Sequence, residues 1–235
     1  KYIIYPNKIY SKHLLNHYPK KKYELIISNS PRNITFVKET LKNKKIYFTK
    51  KEKKISDKLQ KTKKKIIGYF PTWRHDGMEI FPGTFKKDSL TRLNNFLVKN
   101  NFLLIIKKHP NSFKEDNNRF YNEESEKIFK VLEKLKGFFL LDYDVDLNSI
   151  ISNCELLVSD YSGVIFDYLW LERPIIFYTP DLNKYKKNPG LYFNLGKLGI
   201  GPSVSNINDL TLQIKKNYLK KKYKKNIIKL RKKIF

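Results

Sequence analysis

The sequence predicts an α/β fold, a Rossmann-like parallel sheet with helices on both faces, on three observations. Apolar strand-like runs alternate with helix-like segments at least four times between Ile66 and Tyr178. The runs, such as Phe102-Leu-Leu-Ile-Ile106 and Ile175-Ile-Phe-Tyr178, are continuously apolar, as buried strands are. Polar groups then gather just past the runs: Pro71-Thr-Trp-Arg74, His109-Pro110, Asp142-Tyr143, Ser159 to Gly163 and Thr179 to Asp181. A parallel sheet brings all of these to one edge, and ligands of such sheets collect at that edge.

In chain order, Lys1 to Tyr5 and Tyr23 to Ile27 read as short strands, with a basic segment between them. Ser28 to Arg32 is a turn, Asn33 to Leu41 a helix, and Ile46 to Thr49 a strand. Lys50 to Lys65 is lysine-rich with little apolar periodicity, so it reads as a linker or a solvated helix. Ile66 to Phe70 is a strand. A loop carrying Pro82 and Gly83 follows, then a helix capped by Asp88 or Ser89 with Leu90, Leu93, Phe96 and Leu97 on one face. Phe102 to Ile106 is a strand, Ser112 to Asn122 a polar loop, and Glu126 to Leu135 an amphipathic helix stopped by Gly137. Phe138 to Leu141 is a strand and Asp142 to Asp146 an acidic turn. Leu147 to Cys154 is a short helix leading into the strand Glu155 to Val158. Ser159 to Gly163 is turn and cap chemistry, and Val164 to Leu171 has helical spacing up to Pro174. Lys184 to Gly201, with Pro189 and four glycines, reads as a long functional loop. Asn208 or Asp209 starts a last helix, and a lysine-dense tail runs from Lys215 to Phe235.

At 235 residues with 40% hydrophobic side chains the chain can bury a sizeable core. No run reaches the ~18 apolar residues of a spanning helix. A single cysteine, Cys154, excludes a disulfide framework within one chain and fits a reducing compartment. It reads as a small buried hydrophobe rather than a reactive thiol. The net charge of +27 suits nucleic acid, an anionic membrane surface or a polyanionic substrate, against the alternative that the scattered lysines are simply a solvated surface, which explains the dense C-terminal cluster less well. Nucleic acid is disfavoured because the aromatic residues lie in strand-like runs rather than among the basic ones. His13 and His17 read as a surface pair, and Asp142, Asp144 and Asp146 as an acidic surface turn rather than a cation site.

Chemistry concentrates at the strand ends. Ser159, Ser162 and Gly163 are small and supply N–H and O–H donors where a strand feeds a helix, which suits a phosphate cradle. Asp160 and Asp167 either bind ribose or acceptor hydroxyls or simply cap and solvate the helix. Pro110 restricts His109 to an extended conformation aimed at the sheet edge. His109 then serves a phosphate oxygen or acid–base chemistry, or else hydrogen-bonds a neighbouring loop. Arg74 either grips a phosphate with two hydrogen bonds or forms a surface ion pair with Asp76. Thr72 lies beside it at the same strand end. No Walker motif or GxGxxG occurs, and neither metal nor cofactor is expected.

Five stretches in series carry a resemblance: Tyr69-Phe-Pro-Thr-Trp-Arg74, Lys107-Lys-His-Pro110, Ser159-Asp-Tyr-Ser-Gly-Val-Ile-Phe-Asp167, Pro174-Ile-Ile-Phe-Tyr178 with Asp181 and Tyr185, and Gly201-Pro202. From about Tyr23 to Leu212 the chain resembles the CDP-glycerol:poly(glycerophosphate) glycerophosphotransferases, the teichoic acid polymerase family. The resemblance implies a GT-B-type enzyme of two Rossmann-like halves, this chain holding the C-terminal donor-binding half and part of the N-terminal one. It implies that His109 contacts the donor pyrophosphate and helps the leaving group. Ser162 and Gly163 then hold phosphate, while Thr72, Arg74, Pro110, Ser159, Asp160 and Asp167 line the same pocket. The family's Trp-His-Gly motif, the acceptor-side base, does not occur in these residues. Gly163 stands where the family has a second serine, and Ile200-Gly-Pro202 where it has Pro-Gly-Pro.

The expected organisation is a remnant of an N-terminal half and basic linker over 1–62, a donor-binding domain over 63–214, and a basic tail over 215–235. The expected function is transfer of a polyol phosphate, glycerol phosphate first, from a CDP-activated donor to a hydroxyl of a polyanionic or glycan cell-surface polymer. The tail would hold the enzyme at the anionic inner face of a bacterial plasma membrane, from the cytoplasmic side. The alternatives are a GT-B glycosyltransferase using a nucleotide sugar for capsule or lipopolysaccharide, a non-catalytic donor-binding fragment, and a basic nucleic-acid-binding protein.

Overall fold

The computed structural model describes residues 2–5, 24–28, 33, 36, 49–72, 87–107, 123–188, 190–191, 194–218 and 222–235. β1 (Tyr2–Tyr5) and β2 (Glu24–Ile27) pair in parallel as a separate two-stranded sheet. The main sheet has six strands: β3 (Lys65–Tyr69), β4 (Phe102–Lys107), β5 (Phe138–Leu141), β6 (Leu156–Ser159), β7 (Ile175–Tyr178) and β8 (Ser203–Val204). All neighbours are parallel, in the order β5-β4-β3-β6-β7-β8. Counted from β3, this is the 3-2-1-4-5-6 order of a Rossmann sheet. The order reverses between β3 and β6, which opens a crevice at their C-terminal ends.

Period-two alternation sends successive strand residues to two cores. Ile67, Tyr69, Leu104, Ile106, Val158, Ile176 and Tyr178 pack on one face against α2 (Lys87–Lys99), α3 (Glu123–Glu133) and α8 (Ile207–Asn217). Ile66, Ile105, Leu157 and Phe177 pack on the other against α1 (Lys50–Lys61), α4 (Leu147–Ile151), α5 (Val164–Tyr168) and α9 (Lys224–Ile234). Both faces are covered, which is why the strands read as unbroken apolar runs.

α1 is a packed helix, not a linker. Its buried residues are Glu52, Ser56 and Leu59, and half-buried Ile55 packs on the same core, so its apolar stripe is only Ile55 and Leu59 among many lysines. A capping box starts it: Glu52 N donates to Thr49 Oγ1 and Thr49 N donates to Glu52 Oε2. The other carboxylate oxygen of Glu52 accepts from Asp146 N at 2.7 Å, tying α1 to the start of α4.

The stretch Lys184 to Gly201 is more ordered than a long loop. It holds the end of α6 (Leu182–Lys187) and α7 (Leu195–Leu198), which Asn194 caps and Gly199 ends at φ 64°. Gly201 lies against the start of β7, where a Cβ would run into the Ile175 carbonyl oxygen. In the lysine-dense C-terminal segment, α9 docks through Ile227 and Ile234, both buried. Arg231 bonds Glu172 at 3.0 Å and lies 5.5 Å over the Trp170 ring. Each buried Ile contributes roughly 1.5–3 kcal/mol of apolar burial, enough to fix the helix on the sheet.

Candidate active site at the strand ends

β3 and β6 lie side by side at the point where strand order reverses, and their exits are joined by one carboxylate. Asp160, the first residue after β6, is fully buried. It accepts from Thr72 N at 3.0 and 2.9 Å, from Thr72 Oγ1 at 2.9 Å, and from Ser162 N at 3.1 Å. Thr72 and Asp160 are thus a latch across the crevice. An acceptor of this kind holds both turns in one geometry and leaves little capacity for a ligand. Asp160 itself lies in the turn and is not helical. Asp167 lies in α5 itself and is buried.

The turn that follows keeps a reduced set of donors. Ser162 N points to Asp160, and Val164 N donates to Ser162 Oγ at 3.4 Å. Ser162 is half-exposed and Gly163 exposed, so the Ser162 hydroxyl and the Gly163 N–H are the turn's candidate donors to a ligand. Nothing lies within 4 Å of where a Gly163 Cβ would sit, so a serine there fits without displacement. Ser159, at the end of β6, is fully buried, and its hydroxyl has no hydrogen-bond partner among the described residues. An orphaned buried hydroxyl costs about 1–3 kcal/mol, so this one is an unused donor beneath the turn. Arg74, His109 and Pro110 lie outside the described residues, as do His13 and His17.

The neighbouring groups are structural. Lys51 bridges Asp142 at 3.0 Å and Asp144 at 2.7 Å, and its hydrogen bond holds the Asp144 carboxyl below the usual range. Asp146 caps α4, accepting from Asn148 N, Ser149 N and Ser149 Oγ. All three carboxylates of the acidic turn are therefore engaged. Lys107, half-buried at the end of β4, has its ammonium pushed below its ordinary value by burial, against the opposing pull of Asp146, Asp144 and Glu52. Cys154 is fully buried, and burial pushes its thiol up to about 12. Its carbonyl accepts from Tyr168 Oη at 3.0 Å and Arg173 Nη1 at 2.6 Å, which anchors the entry to β6.

Two features escape the sequence reading. Tyr161 Oη donates to Asp181 Oδ1 at 2.9 Å, and the Tyr161 and Tyr185 rings stack 3.8 Å apart. This ties the turn after β6 to the start of α6. No local spacing signals it, because the two turns meet only when β6 and β7 pair. Glu52 is the other, and the Thr49-x-x-Glu52 spacing was its signal.

A family model described as CDP-glycerol:poly(glycerophosphate) glycerophosphotransferase matches residues 1–235. The chain belongs to this family. It is 32% identical over 206 residues to a teichoic acid poly(glycerol phosphate) polymerase of Bacillus spizizenii, covering 86% of this chain and 46% of that one. It is likewise 32% identical over 141 residues to the teichoic acid ribitol-phosphate polymerase TarL of Staphylococcus aureus, covering 59% and 23%. The chain therefore spans less than half the length of these relatives. Among solved structures, the wall teichoic acid polymerase TagF aligns with a TM-score of 0.62 at 23% identity, over 96% of this chain and 51% of that one. A UDP-GlcNAc 2-epimerase of Methanocaldococcus jannaschii aligns at 0.54 and 17% identity, over 97% and 60%. These likenesses agree with the Rossmann-like, GT-B-type half expected from the sequence.

Proposed function

We propose that this chain is the donor-binding part of a transferase that moves a polyol phosphate from a CDP-activated donor to a hydroxyl of a cell-wall polymer. The carrying observation is the Thr72–Asp160 latch at the strand-order reversal, in a chain matched end to end by this family. Relatives transfer either glycerol phosphate or ribitol phosphate by their names, and a TagF variant has been solved after a soak with CDPG.

In this reading the Ser162 hydroxyl, the Gly163 N–H and Arg74 donate to the donor's phosphate oxygens. The acceptor oxygen attacks the β-phosphorus in line and loses its proton to a base. The bond from that phosphorus to CMP breaks, and His109 stabilises or protonates the departing phosphate. Fixed donors act here where charge develops. Asp160 keeps the two turns in place, and Asp167, Ser159 and Pro110 shape the pocket around them.

Attachment to an anionic membrane face is part of the same proposal. α9 presents Lys222, beside its start, and Lys225, Lys229, Lys232 and Lys233 to solvent, while Ile227 and Ile234 are committed to the core. Such a helix offers a membrane charge rather than an apolar face. No helix among the described residues is long and apolar enough to cross a membrane.

The test is CMP release from CDP-glycerol and CDP-ribitol with a polyol-phosphate acceptor. His109→Ala is expected to slow it by about 10²–10⁴-fold. An unchanged rate rules out the role given to His109.

A further inference from the structure

A second feature lies one strand beyond the latch. At the C-terminal ends of β7 and β8 an open cleft of about 750 Å³ is walled by Thr179, Asp181, Lys184, Ser203, Ser205 and Asp209, among other residues. That volume lies in the range of ligand sites, but the lining differs from most. None of the described lining residues is aromatic, so the cleft offers no stacking platform for a base. Instead it presents two carboxylates, three hydroxyls, one amide and one ammonium.

The carboxylates are held before any ligand arrives. Asp181 Oδ1 accepts from Tyr161 Oη at 2.9 Å, and the Tyr161 ring is backed by Tyr185. Asp209 Oδ2 accepts from Asn206 Nδ2 at 2.8 Å, and Asp209 N donates to Asn206 Oδ1 at 2.9 Å. Each carboxylate is thus oriented through a partner outside the cleft wall. Carboxylates accept from hydroxyl protons and repel phosphate, whereas the ammonium of Lys184 attracts phosphate. The wall therefore suits a ligand that carries both hydroxyls and a phosphate.

We propose that this cleft binds a vicinal diol carried next to a phosphate, the unit common to a nucleotide's ribose and to a polyol phosphate. The proposal rests on the CDP-donor reading above. β6, β7 and β8 are successive neighbours, and strands lie ~4.8 Å apart. The cleft is thus within the reach of a diphosphate diester whose phosphates lie at Ser162 and Gly163. Asp181, Asp209 and Ser205 are specificity residues for the hydroxyl-bearing unit, and the Tyr161–Asp181 bond orients the first of them.

The test is calorimetric titration of the chain with CDP-glycerol, CDP-ribitol, CMP and glycerol 3-phosphate. Ser205→Trp fills the cleft from an exposed position without touching Thr72, Asp160 or Ser162. It is expected to weaken CDP-glycerol about tenfold or more, with an unchanged melting temperature. If CMP weakens with it, the ribose occupies the cleft; if only glycerol 3-phosphate does, the polyol occupies it. Either result supports the proposal. Asp181→Asn, which keeps an acceptor for Tyr161, is the second variant and is expected to weaken CDP-glycerol several-fold. Wild-type affinity in both variants overturns the cleft assignment and leaves the donor reading standing. No binding of CDP-glycerol or CDP-ribitol to the unaltered chain overturns both.

Discussion

Removing the Asp160 carboxylate tests the latch most sharply. Asp160→Ala deprives Thr72 N, Thr72 Oγ1 and Ser162 N of their acceptor. A donor left without a partner costs about 1–3 kcal/mol, and bonds to a charged group lie toward the upper end. Thr72 and Ser162 are half-exposed, so water relieves part of that cost. Taking the low figure for each of three donors gives about 3 kcal/mol. Thr72→Val removes only the hydroxyl bond and should cost about 1 kcal/mol, with Asp160→Asn between the two. Urea unfolding of the four proteins reads these values from the midpoints at constant slope. In a double-mutant cycle, Thr72→Val and Asp160→Ala should couple by about 1 kcal/mol, since the hydroxyl loses its value once the acceptor is gone. Loss of less than about 1 kcal/mol in Asp160→Ala, or additive losses in the cycle, refutes the latch.

Other consequences follow from the same packing. Gly201→Ala forces a methyl into the Ile175 carbonyl and should cost about 1–3 kcal/mol, whereas Gly163→Ser meets open space and should be neutral or slightly stabilising; thermal melts of both decide. The Cys154 thiol, buried and raised to about 12, should resist a disulfide reagent at pH 8 in the folded protein and react once urea unfolds it. Labelling of the native protein at the rate of an exposed thiol contradicts the burial. Lys107 has a folded pKa below its unfolded value of 10.5, so the folded state gives up that proton first. Its penalty is fully present at neutral pH and is relieved as pH rises from the folded pKa toward 10.5. Lys107→Met should therefore remove part of an alkaline rise in stability, measured as the difference between the two proteins' unfolding free energies from pH 7 to 10. A parallel pH profile contradicts the burial of that ammonium.

The strands from Ile66 to Tyr178 are legible in the sequence because both faces of the sheet are covered and nothing polar interrupts them. α2 and α3 are legible because each has one apolar stripe. β8 is not, since two residues carry no period, and it pairs only because Gly201 lets the chain approach β7. α1 shows an apolar stripe of only Ile55 and Leu59, and the partners of its buried Glu52 and Ser56, Asp146 and Asn153, are more than ninety residues away in sequence. α9 hides behind its lysines, although Ile227 and Ile234 are spaced seven apart along one face. At the site, Ser162, Gly163 and Asp160 stand out as turn chemistry. The partner of Asp160 does not, because Thr72 reaches it only once β3 and β6 become neighbours. The same holds for Tyr161 and Asp181, on turns that meet only when β6 and β7 pair.

The central claim is that this edge holds a CDP-linked donor. Calorimetric titration of the chain with CDP-glycerol, CDP-ribitol and UDP-sugars at fixed salt tests it most directly. At least one of the CDP-polyols should bind about tenfold or more tightly than any UDP-sugar, and Asp160→Ala should weaken it. Binding of neither CDP-polyol, with tight and salt-sensitive binding of DNA instead, contradicts it.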